Sequence, residues 1–218
     1  MTDNDTPALD SDAIVWSHPA GERAGRPMLV LLHGYGSDER DLFGLVPYLP
    51  PGLTIAALRA PLTPPWPAPG YSWYPIEGLD GRDPQRVTDA ARRVLEWLDT
   101  LGTTDPVGLL GFSQGGAVSM QALRLTPDRF ACAVNLSGYV ARGGDTDDAA
   151  LAAAKPPVFW GRGTHDDVIP RGLIDHTSQW LPDHAELTGR VYPGLTHSVS
   201  EDELVDVRDF VQKHLASA

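Results

Sequence analysis

Apolar positions along the chain form two kinds of run, and the two kinds alternate. Pro27-Met28-Leu29-Val30-Leu31-Leu32 is continuous, too short for a buried helix, and is followed by Gly34 and Gly36. It predicts a strand buried on both faces, as in a parallel sheet. Leu53 to Leu58, Val107 to Leu110, Phe130 to Leu136, Pro157 to Trp160 and Glu186 to Tyr192 predict further strands. Between them lie helical patterns. A short one falls within Asp38 to Tyr48, ended by prolines. At Asp83-Pro84 an N-cap Asp and a Pro at the first helical position open a longer one. Val87, Ala90, Ala91, Val94, Leu95 and Leu98 follow at helical spacing, and Gly102 stops it. Gln114 to Leu125 and Ile174 to Leu181 predict two more helices. The last begins with a capping box, Ser200 to Glu203, and carries the stripe Leu204, Val207, Phe210, Val211 and Leu215. Strand and helix alternate without a repeat or a second core. The pattern predicts a single α/β domain over residues 13–218, with a mostly parallel sheet covered by helices on both faces. A polar, flexible tail at residues 1–12 precedes it.

One region escapes both periods. Six prolines between Pro61 and Pro75 forbid a helix or a central strand there. Trp66, Tyr71, Trp73 and Tyr74 are concentrated in the same stretch, residues 59–82. A long irregular loop with this much aromatic surface predicts a substrate wall, with Trp66, Trp73 and Tyr74 as its binding residues, or else the interface of a homodimer.

Charge narrows the partners. With 17 Lys and Arg against 29 Asp and Glu, the formal net charge is −12. Such a surface repels nucleic-acid backbones and anionic membranes. The single cysteine, Cys132, lies in an apolar strand and reads as an inert core thiol; it excludes an intrachain disulfide and any cysteine-cluster metal site. No apolar run approaches the roughly 20 residues of a membrane span, and the acidic first residues are unlike a secretory signal. The expectation is a cytoplasmic protein without stable membrane anchoring.

The chemistry centres on Gly111-Phe112-Ser113-Gln114-Gly115, which follows a strand and opens a helix. In that setting G-x-S-x-G forms a nucleophile elbow, a sharp turn that exposes the serine hydroxyl. Serine needs a base, and His197, on the loop between the last strand and the last helix, is the candidate. The carboxylate that would orient it belongs on the preceding strand–helix loop, where spacing leaves Asp166 and Asp167 equivalent. His165 beside these two would suggest a metal site, but no further ligand set stands at recognisable spacing, so none is expected. Oxyanion donors are expected from the backbone of Gln114 and of Tyr35, in His33-Gly34-Tyr35-Gly36. His33 is read as a structural hydrogen-bonding residue.

Four pieces in this order resemble the phospholipase/carboxylesterase family of small α/β-hydrolases, which includes the acyl-protein thioesterases. They are Leu32 to Gly36, Gly111 to Gly116, Gly163 to Pro170, and Gly194 to His197. The resemblance spans about residues 27 to 215 and implies an α/β-hydrolase fold without a cap domain. It places the acid four residues before the proline of D-x-x-V-P, with Ile169 here in place of Val, and so implies Asp166. Ser113 and His197 match the family's nucleophile and base, and Tyr35 and Gln114 its oxyanion donors. The Pro-rich Trp66 to Tyr74 segment looks closer to the bacterial carboxylesterase branch, implying small or medium acyl groups. The implied reaction is hydrolysis of a small-molecule ester or thioester through an acyl-enzyme, without cofactor or metal. The same three residues would also serve an acyltransferase or a peracid-forming enzyme. A non-catalytic binding protein would be expected to have lost one of them.

Overall fold

The computed structural model describes residues 6–76, 83–143 and 148–216. Seven strands form one sheet: β1 (Val15–Trp16), β2 (Met28–Leu32), β3 (Thr54–Leu58), β4 (Val107–Phe112), β5 (Cys132–Leu136), β6 (Pro157–Gly163) and β7 (Glu186–Tyr192). Their spatial order is β1-β3-β2-β4-β5-β6-β7. Only β1 runs antiparallel, against β3; every other pair is parallel. Among the described residues six α-helices accompany the strands: α1 (Glu39–Phe43), α2 (Pro84–Leu101), α3 (Gln114–Leu125), α4 (Asp148–Ala154), α5 (Arg171–His184) and α6 (Glu201–Val211).

The central strands β2 to β5 are almost wholly buried because both faces are covered, whereas the edge strand β7 is polar and largely exposed. In β2, Met28, Val30 and Leu32 point to one core, and Leu29 and Leu31 to the other. The first core packs under α2 to α5, with Val94 and Leu98 of α2 and Val118 and Ala122 of α3 fully buried or nearly so. The second packs under α1 and α6, through Leu42, Val207, Phe210 and Val211. β2 pairs with β3 on one side and β4 on the other, so the chain reverses its direction of travel across the sheet between them. Crevices at such a reversal open at the carboxyl ends of the strands, and the candidate residues gather there.

Local signals account for most element ends. Asp83 caps α2 by accepting from Gln85 N–H, and Gly102 ends it in the left-handed conformation (φ 57°). Ser200 Oγ accepts from Glu203 N–H at 3.2 Å, the first half of the capping box. The second half is absent: the Glu203 carboxylate is buried and makes no hydrogen bond among the described residues. Some bounds differ from the sequence pattern. β6 runs on to Gly163, pairing with β7 as far as Tyr192, and Gly161 and Gly163 sit where a Cβ would strike the Glu203 side chain and the Leu195 backbone. α5 begins at Arg171 and carries Pro182 in its last turn, two residues before the helix ends at His184. β1 and α4 have no counterpart in the pattern.

Of the expected tail, residues 1–5 lie outside the described residues. Thr6 is buried, and its carbonyl accepts from Arg93 Nε at 2.7 Å. Residues 59–76 contain no helix or strand, only the single bridges Ser37–Tyr71 and Leu62–Ser72; residues 77–82 lie outside the described residues. Among the described residues, no helix is long and apolar enough to cross a membrane.

Candidate active site

β4 enters α3 through Ser113, whose backbone (φ 55°, ψ −114°) lies where side chains are strained. The turn is possible because Gly111 and Gly115, two residues away on either side, lack side chains. A Cβ on Gly111 would meet the Gly115 carbonyl, and one on Gly115 the Leu32 carbonyl. Ser113 N–H donates to Leu136 O at 2.8 Å, and Ser113 O accepts from Ala117 N–H at 3.1 Å, which pins the turn from both sides.

Ser113 Oγ lies 2.9 Å from His197 Nε2, and His197 Nδ1 lies 2.8 Å from Asp166 Oδ2. An ionised carboxylate only accepts, so Nδ1 carries the proton, and Nε2 presents its lone pair to the serine O–H. Asp166 is fixed in turn. Its Oδ1 accepts from Val168 N–H at 3.0 Å and Ile169 N–H at 3.2 Å. Its side chain is 2% exposed, whereas Asp167 is exposed and makes none of these contacts. The loops carrying Asp166 and His197 are tied together through Thr164 N–H to Tyr192 O and His165 N–H to Leu195 O. Among the described residues, His165, Asp166 and Asp167 form no metal-binding group.

A cavity of about 200 Å³ opens beside Ser113. Tyr35 and Gln114, the expected oxyanion donors, both line it. The Tyr35 loop is braced by His33, as expected of a structural residue. His33 Nδ1–H donates to Gly34 O at 2.7 Å, and Nε2 accepts from Ala60 N–H at 3.1 Å. Burial lowers the His33 pKa, which favours this neutral form.

The three aromatic residues expected to bind substrate have three different fates. Tyr74 lines the cavity, its hydroxyl against that of Tyr139. Trp66 does not reach it: between Pro65 and Pro67 the chain makes a tight turn, and the ring stands 92% exposed. Trp73 does not line it either. It is fully buried; its indole N–H donates to His33 O at 2.9 Å, and its backbone N–H donates to Gln114 Oε1 at 2.8 Å. Gln114 Nε2 also donates to Tyr74 O at 2.7 Å. Trp73 therefore braces the two loops that carry Tyr35 and Gln114.

Phe112, Tyr139, Ile76, Val168 and Ile169 complete the apolar wall and were not singled out by the sequence reading. The Phe112 ring lies 4.9 Å from that of His197. Phe112, Val168 and Ile169 do sit inside the motifs themselves. Tyr139 follows Ser137-Gly138 at the end of β5, a signal available but not used. Cys132 is fully buried, and burial pushes its thiol pKa up to about 12.

A model of the phospholipase/carboxylesterase family matches residues 18–215. Acyl-protein thioesterase 1 of Saccharomyces cerevisiae is 34% identical over 111 residues; the match spans 49% of this chain and 49% of that protein, about half its length. A probable carboxylesterase of Arabidopsis thaliana, SOBER1-like, is 26% identical over 221 residues, covering 94% of this chain and 79% of that one. The crystal structure of a Bacillus cereus carboxylesterase superposes with a TM-score of 0.77 at 18% identity, over 92% of this chain and 93% of that one. That last likeness is one of fold.

Proposed function

The chain belongs to the phospholipase/carboxylesterase family and has the α/β-hydrolase fold, and from that premise we propose that it is a serine hydrolase of carboxylic esters or thioesters. The observation that supports this most is the continuous relay Asp166–His197–Ser113, with contacts of 2.8 and 2.9 Å, ending on a strained serine at the mouth of a cavity.

In this reading Ser113 Oγ attacks the acyl carbonyl while His197 Nε2 takes its proton. The oxyanion is held by the backbone N–H groups of Tyr35 and Gln114, with the α3 N-terminus adding a favourable field. His197 then protonates the leaving alcohol or thiol. Water, activated by the same nitrogen, releases the acid from Ser113. Asp166 stays ionised and holds the imidazole in the required tautomer. The cavity, about 200 Å³, lies below the roughly 300–1,000 Å³ of drug-sized sites, and among the described residues its walls carry no Asp, Glu, Lys or Arg side chain. Both features favour small or medium, uncharged acyl groups.

The test is hydrolysis of p-nitrophenyl esters from acetate to palmitate by the parent and by Ser113→Ala, Asp166→Ala and Asp167→Ala. Expected are loss in the first two variants, retention in Asp167→Ala, and a preference for the shorter esters. A folded parent no faster than Ser113→Ala on any ester or thioester would refute the assignment.

A further inference from the structure

A second cavity, of about 430 Å³, is larger than the one beside Ser113 and lies at the other end of the sheet. Its floor includes Met28 and Thr54, the first residues of β2 and β3, whereas Ser113 follows the last residue of β4. About one strand length, roughly 15 Å, separates the two. None of the residues in the relay or the oxyanion loop takes part in it.

Two arginines line this cavity, and both are held in place. Arg23 Nε donates to His18 O at 2.9 Å, and its guanidinium carbon lies 3.7 Å from the centroid of the Trp16 ring. Arg26 Nε donates to Glu22 O at 2.9 Å. In each case the bond engages Nε and leaves the terminal NH₂ pair without a partner among the described residues. Asp105, the carboxylate in the lining, accepts from Gly25 N–H at 2.9 Å and pairs with neither arginine. The Thr54 hydroxyl is buried and also has no hydrogen-bond partner among the described residues.

Guanidinium forks anchored through Nε are preorganised for a planar anion such as a carboxylate. The anchoring removes part of the ordering cost that a free arginine bears on binding. The remaining walls include Trp16, Ala20, Met28 and Leu101, so the cavity is not polar throughout. α2 ends at Leu101, and the carbonyls of a helix C-terminus disfavour an anion beside them. An anionic group is therefore favoured at the 23–26 turn, and apolar matter toward Leu101. We propose that this cavity binds a small amphipathic carboxylate, its head on the Arg23 and Arg26 forks and its apolar body against Met28 and Leu101. The assignment is independent of any reaction at Ser113.

Isothermal titration of the full chain with octanoate tests it, with octan-1-ol and inorganic phosphate as the apolar and anionic controls. Octanoate should bind one-to-one with a Kd of about 1 mM or tighter, which is −4 kcal/mol or stronger. Loss of a charge-assisted hydrogen bond predicts about tenfold weaker binding in Arg23→Gln or Arg26→Gln, and loss in the double variant. Circular dichroism melts check that these variants fold. Ala20→Trp, at an exposed position, fills the cavity while leaving both arginines in place, and should also abolish binding. Four results would overturn the proposal: no saturable binding of octanoate, equal binding by the double variant (which would place octanoate beside Ser113), octan-1-ol binding as tightly, or phosphate binding as tightly.

Discussion

Trp73→Phe separates a residue that braces the site from one that touches substrate. The substitution keeps an aromatic ring and the backbone N–H that reaches Gln114 Oε1, but removes the indole N–H that donates to His33 O at 2.9 Å. His33 O is then left short of a donor in a buried setting, a loss of about 1–3 kcal/mol. For a chain of this size that corresponds to a fall in Tm of roughly 2–12 °C. The catalytic effect follows from what His33 precedes. Tyr35, two residues on, would supply one of two oxyanion donors, and complete loss of such a donor costs about 10²–10³ in kcat. Loosening the loop without deleting the donor should cost a part of this, about tenfold in kcat, with KM changing little because the interaction strengthens in the transition state. The assay is steady-state kinetics on p-nitrophenyl acetate and octanoate, with Trp66→Phe as the exposed control, expected to match the parent. A brace acts alike on both esters. If Trp73→Phe instead raises KM for one ester more than the other while kcat holds, Trp73 meets the acyl chain and the bracing argument fails.

Two further predictions concern stability. Burial raises the Glu203 pKa from 4.5 to about 7, with the nearby Asp206 charge adding to it, so the folded state holds its proton more tightly than the unfolded one. Its contribution is then most favourable at low pH and is lost as pH rises from 4.5 through 7, a swing of about 3 kcal/mol. Urea unfolding should find Glu203→Gln similar to the parent at pH 4.5 and more stable at pH 8; parallel profiles across that window would contradict the burial argument. Ser113 holds a positive φ at a cost of order 1–3 kcal/mol, which Gly relieves and Ala does not, against about 0.5–1 kcal/mol of added chain entropy. Ser113→Gly should therefore melt higher than Ser113→Ala, with both lacking activity; the reverse order would mean that the turn is not strained.

What the sequence disclosed depended on how local each determinant is. Buried strands, the Asp83-Pro84 helix start and the Gly111 to Gly115 elbow follow from neighbours in the chain, and these were legible. β1 is two residues long, too short for any period, and α4 buries only Leu151, so neither leaves an apolar stripe. Asp166 and Asp167 look alike by spacing, and the resemblance chose between them. A physical signal was nonetheless present: Asp166 Oδ1 accepts from the N–H groups two and three residues on, a local turn that fixes that carboxylate. Trp66 and Trp73 could not be separated in this way. Both stand among prolines, and what divides them is tertiary: Trp73 meets the His33 carbonyl and the Gln114 amide, while Trp66 meets solvent.

The same tertiary bonds make the candidate site interpretable by substitution. Its residues come from separate loops, yet each loop is fastened by bonds that do not pass through the relay. The elbow is held by Leu136 O and Ala117 N–H, and the Asp166 loop by Thr164 N–H, which donates to Tyr192 O. The base's loop is tied back to His165 through Leu195 O, and the Tyr35 loop is held by His33 and Trp73. Removing the Ser113 hydroxyl therefore subtracts one side-chain group without releasing any loop, whereas removing the Asp166 carboxylate also frees the N–H groups of Val168 and Ile169. Removing a fastener does the opposite, displacing a donor while every reacting group remains. A large effect from Ser113→Ala and a smaller, ester-independent one from Trp73→Phe would together distinguish chemistry from positioning within one set of kinetic measurements.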